Sequence, residues 1–195
     1  MIKPMYLQSK GMSPFFLDTC KGMLYSYIIL ILYEMKKLVQ NKIGGIKMER
    51  ITSFSVDHRK LTKGVYVSRI DGDLITYDIR MTQPNVESAL KPEAAHTIEH
   101  IGATLLRNGK YKDQVIYFGP MGCMTGFYLI VRDLDLEVIK EVVKDVYTQI
   151  ASWDQEIPGA KEEECGNYTF MDLEAAKKAA DYFVNSKWEH EYHLL

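Results

Sequence analysis

The chain is poor in cysteine, has no long apolar run and carries no surplus of basic charge. Three cysteines, Cys20, Cys123 and Cys165, stand among 195 residues. An odd, small number at wide spacing does not make a disulfide framework. It fits a reducing compartment, where a thiol stays free for metal binding or chemistry. Lys and Arg number 24 against 26 Asp and Glu, a formal net charge of -2. That excludes a sequence-independent nucleic-acid binder, which needs a basic excess to neutralise phosphates. No G-x-G-x-x-G or Walker-type phosphate loop occurs, and no internal repeat is visible. The apolar run from Met23 to Tyr33 falls well short of the ~20 residues a membrane-spanning helix requires. Its length suits a signal-peptide core, yet Glu34, Met35, Lys36 and Lys37 follow where a small-residue cleavage site would stand. An interfacial helix, flanked by aromatics and lysines, is the alternative. The residues with chemical character lie beyond it, so residues 1–47 are expected to be an extension upstream of a natural start at Met48, with 48–195 the working domain.

What is present reads as an ordinary globular domain, 47% hydrophobic and 26% charged. Val65 to Ile70 and Leu74 to Met81 are rich in β-branched and aromatic residues and flank Asp71-Gly72-Asp73, a turn signal. They predict a hairpin. Pro92 suits the first turn of a helix running to about Arg107, with Gly109 as its stop. Val115 to Phe118 and Phe127 to Val131 predict two further strands around a Gly- and Pro-containing break. Ile139, Val142, Val143, Val146 and Ile150 recur at helical spacing. A loop from Pro158 through Gly166 precedes a last helix capped by Asp172, with Ala176, Ala180 and Phe183 or Val184 inward. The order β-β-α-β-β-α-α predicts an α+β fold, an antiparallel sheet with helices packed on one face.

The chemistry concentrates in His96-Thr97-Ile98-Glu99-His100. At 3.6 residues per turn His96, Glu99 and His100 share one helix face, so both imidazoles can reach one ion. This is the H-x-x-E-H pattern. An exposed polar face is the bland alternative. A third ligand is needed, and spacing leaves it open between Cys165, whose thiolate suits zinc or ferrous iron, and Glu164 or Glu174. Three protein ligands leave a coordination position for substrate, the mark of a catalytic site. Cys123 sits among Gly119, Pro120, Gly122 and Gly126. It reads equally as a thiol of lowered pKa serving as a base, or as a buried structural cysteine at a turn.

Taken together these segments resemble the S-ribosylhomocysteine lyase family, the synthases of the autoinducer-2 precursor. The landmarks are Ser53-Phe54-Ser55-Val56-Asp57-His58, Tyr77-Asp78-Ile79-Arg80, the His96 to His100 motif, Pro120-Met121-Gly122-Cys123-Met124-Thr125-Gly126-Phe127-Tyr128, and Ile157-Pro158-Gly159-Ala160 leading to Cys165-Gly166-Asn167-Tyr168. The resemblance covers residues 51 to about 184. It implies one divalent ion per subunit on His96, His100 and Cys165, ferrous iron natively and often zinc on isolation. It implies Glu99 and Cys123 as the acid/base pair. Ser53, His58 and Arg80 would line a substrate pocket completed by a homodimer interface, in the cytoplasm and with no membrane partner. Many members carry Asp-Ile-Ser where Tyr117-Phe118-Gly119 stand here, so a carboxylate at 117 is absent. Two rivals are kept. One is an inverzincin-type metallopeptidase with a glutamate as third ligand. The other is a non-catalytic, metal-stabilised binding module, which would draw a fourth ligand from His190 or His193.

Overall fold

In a computed structural model, the residues described are 27–38, 49, 54 and 56–188. The chain divides into two units, Met1–Arg50 and Ile51–Leu195. Of the first, residues 27–38 are helical, and Tyr27, Ile29, Leu32 and Leu38 are exposed. No helix among the described residues is long and apolar enough to cross a membrane. Cys20 lies outside the described residues.

The second unit runs β1 (Gly64–Asp71), β2 (Leu74–Arg80), α1 (Pro92–Asn108), β3 (Val115–Pro120), β4 (Gly126–Arg132), α2 (Leu136–Ala151) and α3 (Leu173–Val184). The four strands form one antiparallel sheet in the order β1-β2-β4-β3, as the α+β expectation requires. α1 opens on Pro92, whose missing N–H costs nothing there. α2 and α3 open on Asp135 and Asp172, whose carboxylates accept from the amides of Val138 and Ala175. α1 stops at Asn108 with Gly109 just past its end, as expected, the glycine in extended backbone. The Asn108 side-chain amide donates to the Thr104 carbonyl at 2.8 Å.

Period-two alternation divides the sheet into two faces. Val65, Tyr77, Ile79, Phe118, Phe127, Leu129 and Val131 enter one core with the helices. α3 packs against α1 and α2, and α1 against β3. A ladder of rings runs through this core. Phe118 stacks on Phe127 at 5.0 Å, Phe127 meets Tyr147 edge-on at 6.3 Å, and Tyr147 meets Phe183 at 5.1 Å. The opposite face is covered as well. Tyr66, Asp78 and Tyr128 align across β1, β2 and β4, and Arg80 lies opposite Gly126. Leu61, Tyr66 and Val56 form a second small cluster on this side. Asp78 and Arg80 are both buried on this face.

Candidate functional site

His96 and His100 lie on one face of α1, and Cys165 comes from the loop between α2 and α3. Among the described residues these three form the one group able to hold a metal ion, with ligand atoms within 4.8 Å of one another. Each imidazole is oriented from behind. Nδ1 of His96 lies 2.8 Å from the Phe170 carbonyl, and Nδ1 of His100 lies 2.7 Å from the Pro158 carbonyl. A carbonyl only accepts, so each Nδ1 carries the proton and each Nε2 keeps its lone pair for a ligand. The rings stand at 80° to each other with centroids 4.8 Å apart. Nε2 of His96 lies 3.5 Å from the Cys165 sulfur. A tetrahedral ion at normal Zn–S and Zn–N bond lengths separates such a pair by about 3.6 Å, so the spacing matches shared coordination. The Asn167 amide donates to the sulfur at 3.5 Å. These residues fit a divalent ion.

The loop carrying the sulfur is fixed by its own backbone. The amides of Glu164 and Cys165 both donate to the Lys161 carbonyl. Gly159 adopts a φ of +68°, and a Cβ there would sit 3.1 Å from Nδ1 of His100. The glycine lets the chain turn tightly against the ring while Pro158 presents its carbonyl. Of the two alternative ligands, Glu174 lies on α3 beside Lys177, and neither it nor Glu164 joins the group. The peptidase ligand set is thus not the one formed. Glu99 is half-buried beside the histidines, and no hydrogen bond or ion pair engages its carboxylate among the described residues.

A second constellation lies at the end of the β3–β4 hairpin. Cys123 is exposed, which removes the buried structural reading. Its turn is tightly braced. Met124 has a φ of +56°, and the Thr125 carbonyl accepts from the amides of Met81 and Thr82 at 3.0 and 3.2 Å. The Cys123 sulfur lies 3.0 Å from Oγ1 of Thr125 and 3.9 Å from Nη1 of Arg80. Nη1 also donates to the Thr125 hydroxyl, which is therefore free to donate its own proton to the sulfur. Although the residue is exposed, the protein packed around its sulfur excludes some water and pushes the thiol up, but the Thr125 hydrogen bonds and the Arg80 charge outweigh this and hold Cys123 below the usual thiol value. Arg80 in turn gives Nη2 to Asp78 at 2.5 Å. Burial pushes the Asp78 carboxyl up, against the opposing charge and hydrogen bond of Arg80 and the charge of His58. His58 itself is half-buried, with Nδ1 3.0 Å from the Val56 carbonyl.

Of the expected site residues, the structure brings His96, His100 and Cys165 together, and separately Arg80 and Cys123. Arg80 is almost fully buried, its side chain 3% exposed. Ser53, His190 and His193 lie outside the described residues. Sequence reasoning gave no role to Asp78 or Thr125. The signal available was that Asp78 and Arg80, two apart on one strand, share a face.

An α+β domain whose helix presents two Nε2 atoms to a loop cysteine, with a second, exposed thiol at the turn of a sheet hairpin, offers the donor set of a metal-dependent enzyme. The model of the S-ribosylhomocysteinase (LuxS) family matches residues 51–193, and the chain belongs to that family. The S-ribosylhomocysteine lyase of Desulfotalea psychrophila is 51% identical over 144 residues, covering 70% of this chain and 91% of the relative. That of Clostridium beijerinckii is 48% identical over 144 residues, covering 71% and 91%. That of Borreliella burgdorferi is 47% identical over 143 residues, covering 70% and 91%. The relatives compared are lyases, and none points to a peptidase.

Proposed function

We propose that this protein is a carbon–sulfur lyase that cleaves the thioether of S-ribosylhomocysteine, releasing homocysteine and 4,5-dihydroxy-2,3-pentanedione, the autoinducer-2 precursor. The observation that carries the reading is the pair of inward-facing Nε2 atoms converging on a loop thiolate with no fourth protein ligand among the described residues. Family membership supplies the substrate. One divalent ion per subunit sits on His96, His100 and Cys165, ferrous iron natively, and zinc suits the same donors. When bound, the ion supplies Lewis-acid polarisation of the sugar's carbonyl and hydroxyl oxygens.

The C–S bond breaks without net oxidation, so the electron pair that expels sulfur must come from a neighbouring C–H bond. That needs a carbonyl β to the sulfur. Two enediolate steps move the carbonyl from C1 to C3, the first taking a proton from C2 and returning one to C1, the second taking one from C3 and returning one to C2. Loss of the C4 proton then expels homocysteine from C5. Cys123, with its thiol held below the usual value, takes and returns protons on one side of the sugar. Glu99, beside the histidines and without a competing partner among the described residues, does so on the other side and assists elimination. Arg80 and His58 are assigned to positioning the substrate's polar groups, and Ser53, outside the described residues, is given to the pocket by the family resemblance alone.

Homodimerisation in the cytoplasm is part of the proposal. Cys123 bonds to residues on the sheet face away from the helices, whereas Glu99 and two metal ligands belong to the helical layer. One sugar meets both sets when a second subunit brings its thiol to this subunit's ion. The test is homocysteine release from S-ribosylhomocysteine by anaerobically purified protein, with metal analysis alongside. His96→Ala is expected to lose the ion and all turnover. Cys123→Ala is expected to keep the ion and lose turnover by roughly 10²–10⁴-fold. Near-normal release by Cys123→Ala overturns the role given to the thiol. No release by the metal-loaded parent overturns the function.

A further inference from the structure

We infer that Asp78 and Thr125 are positioning residues for Cys123, the carboxylate fixing Arg80 against the sulfur and the hydroxyl aiming a donor at it. The inference rests on the reading of Cys123 as the proton-carrying thiol. The Arg80 guanidinium is buried, and its orientation depends on two bonds, Nη2 to Asp78 and Nη1 to Thr125. Nε has no partner among the described residues, and neither has Oδ1 of Asp78. A buried fork held at two tips swings freely when either tip is released. Strand geometry makes the first contact local, because Asp78 and Arg80 lie two apart on one face of β2. The second contact is non-local, because the Thr125 carbonyl is pinned by the Met81 and Thr82 amides just beyond β2. The thiol thus takes its environment from one short stretch of strand and the turn laid over its end.

The groups facing Cys123 are Arg80 from β2, Thr125 from its own turn and Tyr128 from β4, while Asp78 faces Arg80 and Tyr128. His58, from the segment before β1, acts on Asp78. Among these Arg80 is the cation that favours a thiolate, and Asp78 acts through it. Removing Asp78 therefore lets Arg80 move off and raises the thiol. Keeping an acceptor at 78 while deleting its charge leaves Arg80 in place.

The experiment measures alkylation of Cys123 by iodoacetamide against pH in the metal-loaded protein, resolved from the other cysteines by peptide mass spectrometry. Asp78→Ala is expected to raise the midpoint by about one pH unit. Asp78→Asn, which retains the acceptor, leaves it at or below the parent's. Thr125→Val raises it, and Thr125→Ser restores it. In an Arg80→Ala background, Asp78→Ala has no further effect. A midpoint that falls or stays in Asp78→Ala, or a further rise in the Arg80→Ala background, overturns the inference. Should Asp78→Ala not fold, Asp78→Asn decides alone, since a rise there contradicts positioning by the acceptor. A parent that alkylates as described yet releases no homocysteine defeats the functional reading while leaving the positioning claim standing.

Discussion

His100 is fixed by one carbonyl, and that carbonyl is fixed by one glycine. Gly159 follows Pro158 at a φ of +68°, and an added methyl would lie 3.1 Å from Nδ1 of the ring that Pro158 holds. Gly159→Ala is expected to cost about 1 kcal/mol of stability through left-handed strain. It also displaces the ring's rear support, so metal affinity falls roughly 10–100-fold. Competition with a chromogenic chelator reads the second effect apart from the first. An unchanged affinity would mean the ligand geometry does not depend on this turn. At Cys123 the sign of the pH effect follows from the direction of the shift. The folded thiol lies below the usual value, so the unfolded chain binds more protons between the two values. Its stabilising contribution is present above the ordinary thiol value and is lost as pH falls through the folded one. The acid limb of homocysteine release is accordingly expected below the ordinary thiol value of about 8.5. A limb at or above that value separates the rate from this thiol.

At the scale of elements, periodicity made most of the domain legible. The four strands and three helices of the second unit occur in the expected order because their alternation, turn residues and caps agree with one another. The α2 stripe shows where pattern reading stops. Val142 is only half-buried, while Tyr147 joins Ile139, Val143, Val146 and Ile150 in the core. Counting aliphatics passed over a ring whose face fits the aromatic ladder. The metal site was half legible. Two histidines four apart on a helix declare a shared face, but spacing alone left the third ligand open between Cys165, Glu164 and Glu174, and only the family resemblance chose Cys165. The carbonyls of Pro158 and Phe170 were beyond reach, since backbone acceptors carry no residue identity. Asp78 and Arg80 read as a solvent face from the alternation of β2, yet both are buried. α3 offers an element-scale test. Asp172 caps it through Ala175, and the Asp172 amide itself donates to Oγ1 of Thr97 on α1. Asp172→Ala removes the first bond and spares the second. It is expected to cost about 1 kcal/mol, lowering Tm by about 2–4 °C by calorimetry, with metal content unchanged. Loss of metal would show that the Phe170 carbonyl depends on the cap.

At the scale of the whole molecule, the proposed reaction needs two constellations that one chain keeps on different layers. The sheet separates them, with the Arg80–Cys123 cluster on the face away from α1 and the histidines on α1 itself. If a two-fold dimer joins them, each site draws its ion from one subunit and its thiol from the other. His96→Ala then disables the ion half, and Cys123→Ala the thiol half, of different sites. A dimer holding one chain of each variant keeps one site intact, built from the ion of the Cys123→Ala chain and the thiol of the His96→Ala chain. Its other site lacks both. With random pairing, half the dimers are mixed and half of their sites work, so about a quarter of the parent's activity returns from two inactive proteins. Co-expression under two affinity tags and purification through both leave only mixed dimers, from which about half of the parent's homocysteine release is expected. Recovery absent from doubly tagged, metal-loaded dimers would mean that each chain builds its site alone, and the face-to-face arrangement would have to be abandoned.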